Sequence, residues 1–132
     1  MPKQFSDLGI STAILKAITE LNIVVPTEIQ EKAIPLILAN ATDLVGLAKT
    51  GTGKTAAFGL PLLQLIDIQI PTVQAVILVP TRELGQQIFK NLEDFAKQLP
   101  EVSIAATCGG IPIKPQMERL ASPTHIVVAT PG

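Results

Sequence analysis

At 132 residues the chain is long enough for one domain. With 47% hydrophobic and only 3% aromatic residues its core has to be aliphatic, and a charged fraction of 16%, against the about 25% usual in soluble domains, predicts apolar surface that belongs against further polypeptide. A net charge of −1 gives no general electrostatic footprint for nucleic acid, and Cys108 as the only cysteine excludes an internal disulfide framework. No apolar run approaches the roughly 18–20 residues of a membrane span, and residues 1–7 lack the apolar stretch of a secretory leader, so a cytoplasmic home is expected.

In chain order, Ser11 is placed to cap a helix whose apolar face is Ile14, Ile18 and Leu21. Residues 22–26 break that pattern. Thr27 can cap a second helix with Ile29, Ala33, Ile34 and Ile37 as apolar positions, kinked or divided at Pro35. Residues 40–43 read as a loop and residues 44–47 as a first short strand. After a glycine-rich turn, a helix is predicted from near Lys54 towards Ile66. Residues 67–74 link it to Ala75, Val76, Ile77, Leu78 and Val79, an apolar run with the character of a parallel strand buried on both faces. Thr81 then caps the most regular helix, with Leu84, Ile88, Leu92, Phe95 and Leu99 on one stripe and Pro100 as its stop. Residues 102–106 are strand-like, Gly109 and Gly110 open a loop, and residues 116–120 suit one or two helical turns. Residues 126–129 form a fourth strand running into Thr130, Pro131 and Gly132. This alternation predicts an α/β domain with ligands at the C-terminal ends of its strands.

The strongest chemical signal is the segment Ala48, Lys49, Thr50, Gly51, Thr52, Gly53, Lys54, Thr55. Glycines let a backbone curl round a phosphate with its N–H groups inward, and the following helix start adds unpaired N–H groups and partial positive charge. Lys54 is placed to reach β and γ phosphates, and the Thr55 hydroxyl to ligate Mg²⁺. The strict pattern begins with Gly, and here Ala48 stands in its place. An ordinary strand-to-helix turn would leave Lys54 without a reason to sit where the helix dipole disfavours a cation.

Hydrolysis of a magnesium nucleotide also needs an acid at a strand end. Asp67 follows an apolar run, but that run belongs to the helix leaving the glycine-rich turn. Glu83 and Glu118 sit at helix starts or in short helices, where capping and solvation account for them. These residues support nucleotide contact and not cleavage. Gln30 is open on residue chemistry alone: Thr27 and Gln30 have capping-box spacing, while a carboxamide also matches adenine N6 and N7.

Taken in order, several segments resemble the DEAD-box RNA helicase family. Phe5 precedes Gly9 and Ile10 as an upstream aromatic, and Val25, Pro26, Thr27, Glu28, Ile29 and Gln30 match the family's Q motif. Residues 48–55 match its A-x-T-G-x-G-K-T phosphate loop, so Ala48 departs from the general pattern but not from this one. Pro80, Thr81, Arg82, Glu83 and Leu84 match P-T-R-E-L, with Gly85 where the family more often has Ala. The Gly109 and Gly110 pair and Thr130, Pro131, Gly132 complete the series. The D-E-A-D and S-A-T segments and the second RecA-like domain do not occur in these residues.

The resemblance implies a three-layer RecA-like P-loop NTPase domain with a mostly parallel sheet, incomplete. Residues 1–38 would be a Q-motif region with N-terminal helices, and residues 39–132 the first part of the ATP-binding domain. It implies an ATP-dependent RNA helicase as the parent protein, using ATP and Mg²⁺, with the isolated stretch inactive. Phe5, Thr27, Gln30, residues 48–55 and Ala56 would surround the nucleotide, Gln30 reading the adenine edge and Phe5 packing on the base. It places an RNA path over Pro80, Thr81, Arg82, Gly109, Gly110, Thr130, Pro131 and Gly132. Backbone N–H groups and one guanidinium suit phosphates there without excess positive charge or base specificity. Two rival classes stand beside it. A different P-loop enzyme, such as a small-molecule kinase, predicts neither adenine selectivity nor an RNA effect, and a binding module predicts no turnover. Residues 44–47 without later strands beside them also predict non-native self-association of the isolated stretch.

Overall fold

The computed structural model describes residues 3–39, 43–49, 53–107 and 123–131. They fall into two compact units: Met1–Leu65 with Asp94–Leu99, and Ile66–Glu93 with Pro100–Gly132.

The first unit is helical. A 3-10 turn at Phe5–Leu8 buries Phe5 and Leu8 and closes on Gly9, whose φ of 95° is left-handed. Helix α1, Thr12–Glu20, buries Ile14, Ala17 and Ile18, while Leu21, expected on that face, lies past the helix end and is exposed. Asn22, at φ 62°, ends the turn. Ser11 occupies the cap position, but its hydroxyl makes no capping bond; its backbone N–H is bonded instead by Gln64. Helix α2, Glu28–Leu38, runs unbroken through Pro35, so the predicted division does not occur. Proline removes one interior N–H, yet α2 stays continuous, buries Ala33 and Ile34 and packs along α3. Helix α3, Lys54–Leu65, buries Ala56, Ala57, Leu60 and Leu63.

Residues 44–47 form no strand in the structure. Val45 is 85% and Leu47 90% exposed. An apolar run becomes a strand only when neighbours take its N–H and C=O groups, and no described strand lies beside it.

The second unit holds a parallel sheet of three strands, β1 (Ala75–Leu78), β2 (Ile104–Thr107) and β3 (Ile126–Ala129), in the order β1-β3-β2. The register pairs Ala75 and Ile104 with Ile126, and Leu78 and Thr107 with Ala129. Central β3 is buried through Ile126, Val127 and Val128. Strand β1 is not buried on both faces as its composition suggested. It is an edge strand with Val76 and Leu78 outward, 59% and 69% exposed. Buried His125, before β3, accepts the Ser103 N–H on Nδ1 at 3.0 Å, which fixes the start of β2 against β3. Cys108 and residues 116–120 lie outside the described residues.

Helix α4, Arg82–Phe95, starts in this unit, where the Thr81 hydroxyl accepts the Leu84 N–H at 3.2 Å. Ile88, Leu92 and Phe95 of its predicted stripe are buried, and Leu84 is 37% exposed. The helix closes into turns after Phe95, short of Leu99. Thr81→Ala should lower the unfolding free energy by about 1 kcal/mol, the usual worth of a side-chain cap; an unchanged urea midpoint would show that this cap contributes nothing.

Candidate nucleotide site

The described part of the glycine-rich turn is Ala48, Lys49 and then Gly53, Lys54, Thr55 and Ala56; Thr50, Gly51 and Thr52 lie outside the described residues. Gly53 has φ 80°, a conformation that side chains strain, and it delivers the chain into the first turn of α3. Lys54 opens that helix and is exposed, Thr55 follows half-buried, and Ala56 is buried.

Gln30 joins this turn to the start of α2. Its side chain is 3% exposed, its Oε1 accepts the Thr27 N–H at 2.9 Å, and its Nε2 donates to the Gly53 carbonyl at 3.0 Å. The same carbonyl accepts the Ala57 N–H at 3.1 Å. A methyl group on Gly53 would run into the Gln30 Nε2. The cap and the ligand-facing roles open to Gln30 are therefore compatible. A carboxamide carries two N–H donors and two acceptor lone pairs, and one of each is used here.

Two features of this unit fit a nucleotide. The Thr27 Oγ1 faces the Gln30 N–H in the capping-box position without hydrogen-bond geometry, and it is buried with no partner among the described residues. A buried hydroxyl left so is costly unless a ligand completes it. Two hollows flank this structure. One, of about 520 Å³, is lined by Thr27, Ile29, Lys32, Leu47, Ala48 and Lys49. The other, of about 350 Å³, is lined by Phe5, Leu15, Ile18, Ile23, Val24 and Val25, and buried Gln30 lines neither hollow. At the rim of the larger hollow, exposed Glu28 and Lys32 pair at 2.8 Å; their hydrogen bond and mutual charge hold the carboxyl below, and the ammonium above, their ordinary values.

In the second unit the parallel register brings the ends of β1 and β3 to one edge. The Val79 N–H donates to the Ala129 carbonyl at 2.9 Å and the Thr130 N–H to the Thr107 carbonyl at 3.2 Å. Pro80, Thr81 and Arg82 therefore leave from the same edge as Thr130 and Pro131, with Pro80, Thr81, Arg82 and Pro131 exposed. Gly109, Gly110 and Gly132 lie outside the described residues. Among the described residues no group of three His, Cys, Asp or Glu could hold a metal ion, and no helix is long and apolar enough to cross a membrane.

The sequence pattern did not single out Gln64. Its carboxamide bonds both the Ser11 N–H and the Gly9 carbonyl, each at 2.7 Å. The available signal was its isolation, as the only polar residue in the apolar stretch 56–66.

A parallel α/β sheet with a glycine-rich turn feeding the helix that opens on Lys54 defines a nucleotide-binding domain of the P-loop class. The family model for the DEAD/DEAH box helicase matches residues 27–132, and the chain belongs to that family. It is 43% identical over 128 residues to the ATP-dependent RNA helicase DeaD of Escherichia coli strain K12, an alignment covering 97% of this chain and 20% of that protein. Among solved structures, a DEAD box protein from the hyperthermophile Methanococcus jannaschii superposes with a TM-score of 0.91 at 40% identity, over 100% of this chain and 36% of that one. The RNA-helicase Prp28 from Chaetomium thermophilum bound to ADP gives 0.84 at 41% identity, over 95% and 31%. The 132 residues thus span a fifth to about a third of the lengths of these relatives.

Proposed function

We propose that the chain is the nucleotide-binding front of a cytoplasmic ATP-dependent RNA helicase, and that its first unit selects adenine nucleotides. The observation that carries this is the joint at Gly53, where the Q-motif carboxamide and the first turn of the phosphate-loop helix share one carbonyl oxygen. Lys54 would neutralise β and γ phosphates, and Thr55 would offer one hydroxyl to Mg²⁺. That ion, when bound, offsets negative charge on the phosphates. Thr27 would complete its orphaned hydroxyl on the ligand. Gln30, with a donor and an acceptor to spare, would read the adenine edge, and Phe5 would lie on the base side. Ala48, Lys49, Thr50, Gly51 and Thr52 would wrap the phosphates.

At the strand ends, Thr81, Arg82, Gly109, Gly110 and Gly132 would take RNA phosphates through backbone N–H groups and one guanidinium, with little base preference; Thr130 lies beside this path, its own N–H held by the Thr107 carbonyl. RNA separation and ATP cleavage need residues beyond these 132, since no acid follows a described strand. The isolated stretch should bind nucleotide without turnover. It should also self-associate through exposed apolar positions such as Val45, Leu47, Val76 and Leu78.

ATP and GTP titrations of the full-length protein and its Gln30→Ala variant test the adenine assignment. Wild type should prefer ATP by roughly ten-fold or more, and the variant should lose most of that preference, as expected for a buried carboxamide matched to one base edge. Equal affinities in the wild type would defeat the assignment.

A further inference from the structure

The 3-10 turn carrying Phe5 is fastened to the phosphate-loop helix by one side chain. Gln64 lies near the end of α3, the helix that Lys54 begins. Its Oε1 accepts the Ser11 N–H and its Nε2 donates to the Gly9 carbonyl, so one carboxamide bonds the main chain on both sides of Ile10. Only this orientation of the amide satisfies both partners, because a backbone N–H needs an acceptor and a carbonyl needs a donor. Both bonds reach more than fifty residues back along the chain.

The start of the turn is held by its own bonds, with the Asp7 carboxylate accepting the Gln4 N–H at 2.8 Å and the Asp7 N–H reaching the Gln4 carbonyl at 2.9 Å. Phe5, Leu8 and Ile10 are buried; its exit is held more loosely. The Ile10 N–H reaches the Phe5 carbonyl at 3.4 Å and the Gly9 N–H reaches the Ser6 carbonyl at 3.2 Å, both long. Ser11, the residue at the α1 cap position, makes no side-chain cap. Gly9 is left-handed and close to Leu38 of α2, where an added methyl would sit 3.2 Å from Cδ1. Phe5, at the head of the turn, lines the smaller hollow.

We propose that Gln64 is a positioning residue for base recognition: by clamping residues 9–11 to α3 it holds Phe5 at a fixed distance from Gly53 and Lys54. Base-side and phosphate-side contacts then act on one nucleotide at once. The proposal rests on the adenine reading given above. Gln64→Glu is the sharpest variant. It keeps shape and the acceptor for the Ser11 N–H, and it sets a carboxylate oxygen against the Gly9 carbonyl.

The test uses the full-length protein. ATP, GTP and inorganic tripolyphosphate are titrated into wild type, Gln64→Glu and Gln64→Leu, with amide hydrogen exchange followed over residues 5–11. In wild type the Ser11 N–H should be protected; full exchange at the intrinsic rate would overturn the clamp without needing any variant. The variants should lose ATP over GTP preference by roughly five-fold, about the worth of one hydrogen bond, while tripolyphosphate affinity changes less than about two-fold. Protection of residues 5–11 in Gln64→Glu should return as pH falls and the introduced carboxyl regains a proton to donate to Gly9. Gln64→Leu should show no such return. A wild type that prefers ATP while both folded variants keep that preference overturns the proposal. A wild type with no preference fails the adenine reading itself, and the proposal with it, and the exchange data then show separately whether the clamp exists.

Discussion

Gly53→Ala in the full-length protein should lose measurable nucleotide binding and lower the unfolding free energy by about 2–4 kcal/mol. Three effects add in the same direction. At φ 80° an alanine pays a conformational cost of about 1–2 kcal/mol. Its methyl group meets the Gln30 Nε2, so the carboxamide must leave its place. Leaving breaks the bonds to the Gly53 carbonyl and the Thr27 N–H, at about 1 kcal/mol each for ordinary hydrogen bonds. Urea unfolding with a fluorescent nucleotide titration reads both quantities. A variant with the wild-type midpoint and affinity would mean that the left-handed joint is dispensable. The double variant Gly53→Ala with Gln30→Gly should recover part of the stability, because the collision partner is gone.

Lys54→Ala should act in the opposite proportion, with a large loss of nucleotide affinity and almost no change in stability. Lys54 is exposed at the start of α3, where its charge opposes the helix dipole. Removing it should leave the melting temperature unchanged or slightly raised. An ammonium hydrogen-bonded to phosphate oxygens contributes more than a neutral bond, so ATP should bind roughly 10- to 100-fold more weakly. The RNA-stimulated phosphate release proposed for the full-length protein should vanish with it. The informative control is adenosine, which lacks phosphates and should bind the variant as it binds wild type. Equal ATP affinity in wild type and variant would remove Lys54 from the site.

Much of the helical architecture is legible in the residues because it is periodic. Ile14 and Ile18 on α1, Ala33 and Ile34 on α2, and Ile88, Leu92 and Phe95 on α4 recur at helical spacing, and all are buried. The α/β class follows from apolar runs alternating with such helices. What could not be read locally depends on partners distant in sequence. Residues 44–47 have strand composition, but a ladder needs neighbours, and none is described beside them. Val76 and Leu78 have a core composition and lie on the one face of β1 left exposed, because which face of a strand is covered is not written in the strand itself. The same holds at the candidate site. The Thr27 and Gln30 cap was visible from spacing, whereas the Gln30 bond to Gly53 spans 23 residues and the Gln64 bonds span 53 and 55. Pro35 was open to either a kink or a division on local rules, and α2 is not divided there while it packs along α3.

The sheet order also sets a schedule for biosynthesis. Strands β1 and β2 each hydrogen-bond to β3 and not to one another, and β3 is the last of the three to be made. A nascent chain that has emerged only as far as Thr107 carries two apolar segments with open edges and nothing to close them. Neither ladder can close before residues 126–129 have cleared the ribosome, because both pair with β3. Until then these segments are exposed to chaperones and to neighbouring nascent chains. Any pause that falls after Thr107 has emerged and before residue 126 has done so would lengthen that window and should raise the insoluble fraction.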